Sequence, residues 1–268
     1  MDRSPSPLSV WFWAAYLVSA MTPGMSAVQF QRPRGRGRYE TAFQLLHKRR
    51  AARVRPHRDR IGAPFPVEMD ETWIGGRTRG EGRGHHHPML VAGVVEPRQR
   101  RQKTEEEGSF SPSKALARRG GLYAGRLRLA VSPDRSAKSL ETFTLASVQP
   151  GTHLTTDDWS GYDKLAGKGY QLTPVPPRGD PAVTEAWLPL LHLAFGNLKT
   201  WLHGIHHGVS PQHLSAYRKE FTFRFNRRCY PFNAFRSLLG SAVDTEPTTY
   251  DAFDDRANES PSQPGRKP

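Results

Sequence analysis

The stretch VEMDETWIGG, residues 67–76, decides how this chain is read. Val67, Met69 and Trp73 alternate with polar positions, which predicts a half-buried β-strand. Glu68, Asp70 and Glu71 fall inside that strand, although carboxylates are poor strand formers. By the two-residue period of a strand, Glu68 shares the face of Asp70 and Glu71 points away. A strongly basic protein that plants three acids in one strand has a reason to do so, and the rest of the sequence bears on what it is.

The basicity is uneven. Lys and Arg number 39 against 25 Asp and Glu, a formal net charge of +14. The first 60 residues hold twelve Lys or Arg and three acids, so about nine of those charges lie in the first quarter of the chain. That balance favours a polyanionic partner, with binding that weakens as salt rises. Cys229 is the single cysteine, which excludes an intrachain disulfide framework and a cysteine-based zinc site. A reducing, cytoplasmic setting is expected. Residues 10–21, VWFWAAYLVSAM, form the one long apolar run. It is too short for a bilayer, which needs about 20 residues. It reads as a buried helix of a small N-terminal domain, with a signal-peptide core as the alternative.

Three short helices are expected before residue 56, over 10–19, 25–31 and 39–52, with the stretch QRPRGRGR between the last two. A basic third helix suits a helix-turn-helix in segment 1–56, with Arg38, Lys48, Arg49 and Arg50 as candidate DNA contacts. A merely solvated charged face is the alternative. Residues 57–66 read as a linker. Strands are then expected over 67–74, 89–95 and 125–131, a helix over 137–147, a strand over 154–157, a helical turn over 161–166 and a strand over 170–175. Helices follow over 184–203 and 211–225. Residues 75–88, with His85, His86 and His87, read as a loop, 97–121 as a polar insertion and 243–268 as a disordered tail. This order is that of an α/β, ribonuclease H-like domain with a mixed five-stranded sheet, assigned to 67–242. Such an analogy licenses no activity by itself.

In that order the first and fourth strands are neighbours at the centre of the sheet. Asp70 sits midway along the first, and Asp157 ends the fourth in HLTTDDWSGY. Two carboxylates brought together repel and call for a cation between them. Their hard oxygens select Mg²⁺ or Mn²⁺. Two such ions hold the attacking and leaving oxygens of a phosphodiester in line. An edge position for Asp70 and a helix N-cap for Asp157 or Asp158 are the structural alternatives. A third ligand is expected from the helix in LPLLHLAFGNLKTWLHGIHHGVS, where Pro189 suits the first helical position. Leu188, Leu191, Phe195, Leu198 and Leu202 form its core stripe. His192 and Lys199, seven apart, differ by only about 20° around the axis, whereas Asn197 lies about 140° from His192. A structural His and a snorkelling Lys are the alternatives.

The blocks VEMDETWIGG, RLRLAVSPDRSAKSLETF, TTDDWSGYDKLAGKGY, LPLLHLAFGNLKTWLHGIHHGVSPQHLSAY and EFTFRFNRR, in this order, resemble bacterial insertion-sequence transposases of the DDE superfamily. The group in question has an N-terminal zinc ribbon, a helix-turn-helix and an ISXO-like integrase domain. The resemblance implies an enzyme that cuts a transposon end and joins its 3′-hydroxyl to target DNA. It places the first acidic ligand at Asp70 and the second at Asp157. Many relatives carry a Glu seven residues before a Lys; here Lys199 matches the Lys and His192 stands where that Glu would be. Imidazole is a softer ligand than carboxylate and suits Mg²⁺ less. No ribbon-like ligand cluster occurs, so the chain reads as N-terminally truncated. Arg224, Arg227 and Arg228 in FRFNRR steer backbone phosphates or cap a packed helix. The implied partners are double-stranded DNA, as terminal inverted repeats and target, and a second copy in a homodimer, with no membrane. A truncated remnant that only binds DNA, and a structure-selective nuclease on the same fold, are the competing readings.

Overall fold

The computed structural model describes residues 6–21, 24–34, 38–51, 59–62, 64–75, 88–100, 121–175 and 187–243. The His85–His87 loop, most of the 97–121 insertion and the tail past 243 lie outside these residues. Along the chain run α1 (Leu8–Ala20), α2 (Ala27–Gln31), α3 (Tyr39–Ala51), β1 (Val67–Ile74), β2 (Met89–Gln99), β3 (Leu122–Ser132) and α4 (Ala137–Ser147). Then follow β4 (His153–Asp157), a 3₁₀ helix (Ser160–Lys168), β5 (Gln171–Val175), α5 (Pro189–His206), α6 (Pro211–Arg227) and α7 (Pro231–Val243). The chain divides into two compact units, one holding 59–73 and 90–197, the other 1–58, 74–89 and 198–268.

The first unit is built on one five-stranded sheet in the order β3-β2-β1-β4-β5. β2 and β3 are antiparallel, while β1–β4 and β4–β5 are parallel, so the sheet is mixed as expected. β1 is its central strand, and the half-buried strand read from the sequence is in fact buried at every position from Val67 to Glu71. A central strand covered on both faces has no solvent side. Trp73, counted on the buried side, is 51% exposed. Val67 and Met69 join Leu140, Phe143, Leu154, Tyr162 and Leu165 in a core beneath α4 and the 3₁₀ helix. Thr144 ties α4 to the sheet by donating to Met69 Sδ at 3.4 Å.

The opposite face, which alternation gives to Glu68 and Asp70, receives the start of α5. There the Phe195 ring lies so close to Gly93 of β2 that a Cβ at Gly93 would stand 2.7 Å from it. Ile61, expected in a linker, is fully buried and bridges Val148 beside the core. β2 and β3 outrun their expected ends because the ladder resumes after an irregularity between Val95 and Pro97 and pairs Arg98 with Tyr123 and Gln99 with Leu122. Glu96 supports this extension by accepting from Arg126 Nε at 2.9 Å.

The second unit is helical. Trp11, Val18, Phe30, Leu45 and Leu46 pack α1, α2 and α3 together. Ala15, Phe223, Ala234 and Leu238 join α1 to α6 and α7. α7 lies beyond the last helix expected from the sequence. The division read from the sequence runs along the chain, but this unit is assembled in space, from both ends of it. Among the described residues, no helix is long and apolar enough to cross a membrane.

Candidate active site

The register of the two central strands brings the acids together. β1 pairs with β4 at Val67–Leu154 and Glu68–Thr155. The same offset carried three residues further sets Asp70 level with Asp157, and side chains level on adjacent parallel strands share a face. No β1–β4 bridge occurs beyond Thr155 among the described residues. Glu71 leaves β1 on the side of the 3₁₀ helix, yet its carboxylate lies beside those of Asp70 and Asp157. Asp70, Glu71 and Asp157 each place an oxygen within 4.8 Å of the others. The expectation that Glu71 points away is corrected here: alternation fixes where a side chain starts, but a glutamate is long enough to bring its carboxylate back beside Asp70 and Asp157.

Each acid has defined partners. Asp70 Oδ1 accepts from the Glu71 N–H at 2.7 Å, and Asp70 Oδ2 lies 3.0 Å from His192 Nε2. One Glu71 oxygen accepts from Arg135 Nε, the other from the Tyr162 hydroxyl. Arg135 also reaches Asp157 Oδ2 through Nη2 at 3.3 Å. Its guanidinium lies 4.6 Å from the centre of the Trp159 ring, and Trp159 Nε1 donates to the Arg135 carbonyl at 3.0 Å. Among the described residues, Asp157 Oδ1 is buried and has no hydrogen-bond partner. Burial, together with the charges of Asp70 and Glu71, pushes the Asp157 carboxyl up to about 6 against the pull of Arg135. Burial and the neighbouring Glu71 hold Tyr162 well above its ordinary value, so it remains a neutral donor.

The sequence predicts Asp70, Asp157 and His192 as a set. The fold brings His192 to Asp70, while the third carboxylate of the cluster comes from β1 itself. Arg135, Tyr162 and Glu68 join the site without a sequence signal that predicts it. Only their places in the tertiary structure mark them, apart from the two-residue spacing of Glu68 and Asp70. Lys199 is exposed, two turns along α5 from His192, on the part of that helix assigned to the helical unit.

Of the basic residues expected to face DNA, two lie in the interior of the helical unit. Arg50 is 1% exposed, pairs with Glu220 at 2.6 Å and stacks 4.2 Å from the Tyr217 ring centre. Arg49 is 3% exposed and donates to the Trp11 carbonyl at 3.2 Å. These two guanidiniums are committed to packing, which corrects their reading as phosphate contacts. Lys48 is half-buried over Trp11, and Arg38 is exposed. Arg224 donates to the Met21 carbonyl, Arg227 to Phe223 and Arg228 to Phe225. The last two also lie over the rings of those phenylalanines, the arrangement of a capped helix end.

The acidic cluster fits a hard divalent cation. Its donors are carboxylate oxygens, and an orphaned buried oxygen on Asp157 is an acceptor that a cation would satisfy. A family model described as an ISXO2-like transposase domain matches residues 64–226, which is more than half of the chain and includes every strand of the sheet. No curated protein and no solved structure matches.

Proposed function

Because this chain belongs to the ISXO2-like transposase family, a family of polynucleotidyl-transferase-type enzymes, we propose that it cuts DNA at insertion-sequence ends and transfers the freed 3′-hydroxyl to target DNA. The observation that carries this reading is the meeting of Asp70, midway along β1, with Asp157 at the end of β4, where, among the described residues, one Asp157 oxygen is buried without a hydrogen-bond partner.

Asp70 and Asp157 would hold divalent cations, Mg²⁺ or Mn²⁺, in a two-ion arrangement. When bound, such ions activate the attacking oxygen and stabilise the leaving one. The protein's own contribution is placement. Glu71, with both oxygens engaged, anchors Arg135, and Arg135 in turn holds Asp157 Oδ2. His192 orients Asp70 through their contact. Lys199, Arg38 and Lys48 are proposed to meet backbone phosphates, which position DNA without reading its sequence. Two copies would serve the two transposon ends.

A second reading, a DNA-binding remnant with impaired chemistry, draws on His192 standing where many relatives carry Glu. One assay separates the two. The protein is incubated with Mg²⁺ and a duplex bearing the element's terminal repeats, and nicked and joined products are resolved on a denaturing gel. Strand transfer that disappears in Asp70→Asn and Asp157→Asn, with DNA binding retained, supports the proposal. Binding without cutting by the wild-type chain favours the remnant. Cutting without joined product favours a nuclease.

A further inference from the structure

Glu68 is the one acid of β1 that the cluster does not use. It is 6% exposed, on the central strand of the sheet. Its Oε2 accepts from two backbone donors, Leu190 N–H at 2.9 Å and Leu191 N–H at 2.7 Å. Both belong to the first turn of α5. A helix start leaves its first N–H groups without intrahelical partners, and a side chain at the N-cap position usually satisfies one of them. Here Leu188 precedes Pro189 at the helix start and has no side-chain acceptor to offer. Pro189 has no N–H to satisfy. The two donors that follow are met from the sheet instead, by a carboxylate whose charge complements the positive end of the helix.

The consequence concerns His192. Glu68 and Asp70 are two residues apart on one face of β1, about 7 Å along the strand. Leu190, Leu191 and His192 are consecutive on α5. The bond from Glu68 therefore docks the helix start at one point of the strand. Two residues further along each element, His192 Nε2 arrives 3.0 Å from Asp70 Oδ2. Phe195 packed over Gly93 limits rotation of the same helix segment.

We propose that Glu68 is a positioning residue of the acidic site: by capping α5 from the central strand, it fixes the helix so that His192 reaches Asp70. This rests on the reading of Asp70 and His192 as site residues, but its geometric content holds whether or not the protein transfers strands.

The test uses the full chain without metal. The rate at which diethyl pyrocarbonate modifies His192 is followed by peptide mass spectrometry, with His153 as internal reference, and amide exchange is followed across residues 188–195. In Glu68→Ala, exchange at Leu190 and Leu191 is expected to rise at least about tenfold, because the cap is lost. His192 modification should rise about fivefold or more, because its seat against Asp70 is loosened. Glu68→Gln keeps an acceptor of the same length and should fall nearer to wild type. Glu68→Asp, one methylene short, should resemble Glu68→Ala. The Kd for Mn²⁺, read by electron paramagnetic resonance, should weaken in the same order.

Faster exchange at Leu190 and Leu191 with unchanged His192 reactivity would reduce Glu68 to a helix cap and overturn the proposal. If Glu68→Ala does not fold, the ranking of Gln above Asp decides, and equal His192 reactivity in the two overturns it. If wild-type protein binds no Mn²⁺, the proposed enzymatic function fails, while His192 reactivity still judges Glu68.

Discussion

Arg135 and Asp157 meet at 3.3 Å, Nη2 to Oδ2, and the same guanidinium holds Glu71 of the neighbouring central strand. Three clustered carboxylates thus carry an internal cation, stacked on Trp159. Replacing Arg135 by Ala leaves Glu71, whose side chain is 2% exposed, without that charged partner. The metal-free protein is expected to lose about 2 kcal/mol, the scale of hydrogen bonds to charged groups. A divalent ion would then take over neutralisation. Differential scanning calorimetry should show a larger Mg²⁺-induced rise in Tm for Arg135→Ala than for wild type.

Asp157 sets a pH dependence. Its carboxyl is raised from 3.8 to about 6 in the folded protein. A group that binds its proton more tightly when folded stabilises the fold in acid, and that contribution falls as pH rises from about 4 to 6. Asp157→Asn should remove this slope and raise the metal-free Tm at pH 7.5. In the wild-type chain, Mn²⁺ affinity should weaken as pH drops through about 6, since a protonated carboxyl is a poor ligand. Calorimetric titrations at pH 5.5 and 7.5 check this.

The helical unit should respond to acid in the opposite sense. Burial, followed by the Arg50 charge, lowers His47 to about 2 and His206 to about 3. Once unfolded, each takes up a proton near 6.5, so stability from this pair is lost as pH falls below that value. His47→Gln, which stays neutral, should shift acid unfolding of the α3 and α6 amides to lower pH, as read by hydrogen exchange.

The buried ion pair between Arg50 and Glu220 links α3 to α6. Glu220→Ala leaves Arg50 uncompensated in the interior and is expected to cost about 3–5 kcal/mol in urea unfolding. Replacing both partners together, Arg50→Met with Glu220→Leu, should recover most of that loss, because apolar isosteres avoid the desolvation of two charges.

Much of the domain fold was legible in the sequence because it depends on local signals. Strand alternation, the Pro189 helix start and the order of elements are written over short windows, and they predict the mixed five-stranded sheet found here. The blocks around Asp70, Asp157 and His192 likewise carried the family resemblance. What periodicity could not supply was the fate of individual charges. Arg49 and Arg50 look like a basic surface in sequence, and only the closing of α6 and Trp11 over them makes them interior residues. Glu71 looks turned away, and only the donors Arg135 and Tyr162, supplied by the tertiary structure, hold its carboxylate in the cluster.

The sequence by itself determined the order of strands and helices in the sheet unit and the acids of the central strands, since these follow from hydrophobic period and residue type. Tertiary structure decided what each of the three acids of β1 does: Glu68 caps a helix, Asp70 faces its partner strand, and Glu71 anchors an arginine. The physical reason is that a carboxylate is defined by the donors and charges around it, and here those come from residues up to 123 positions away.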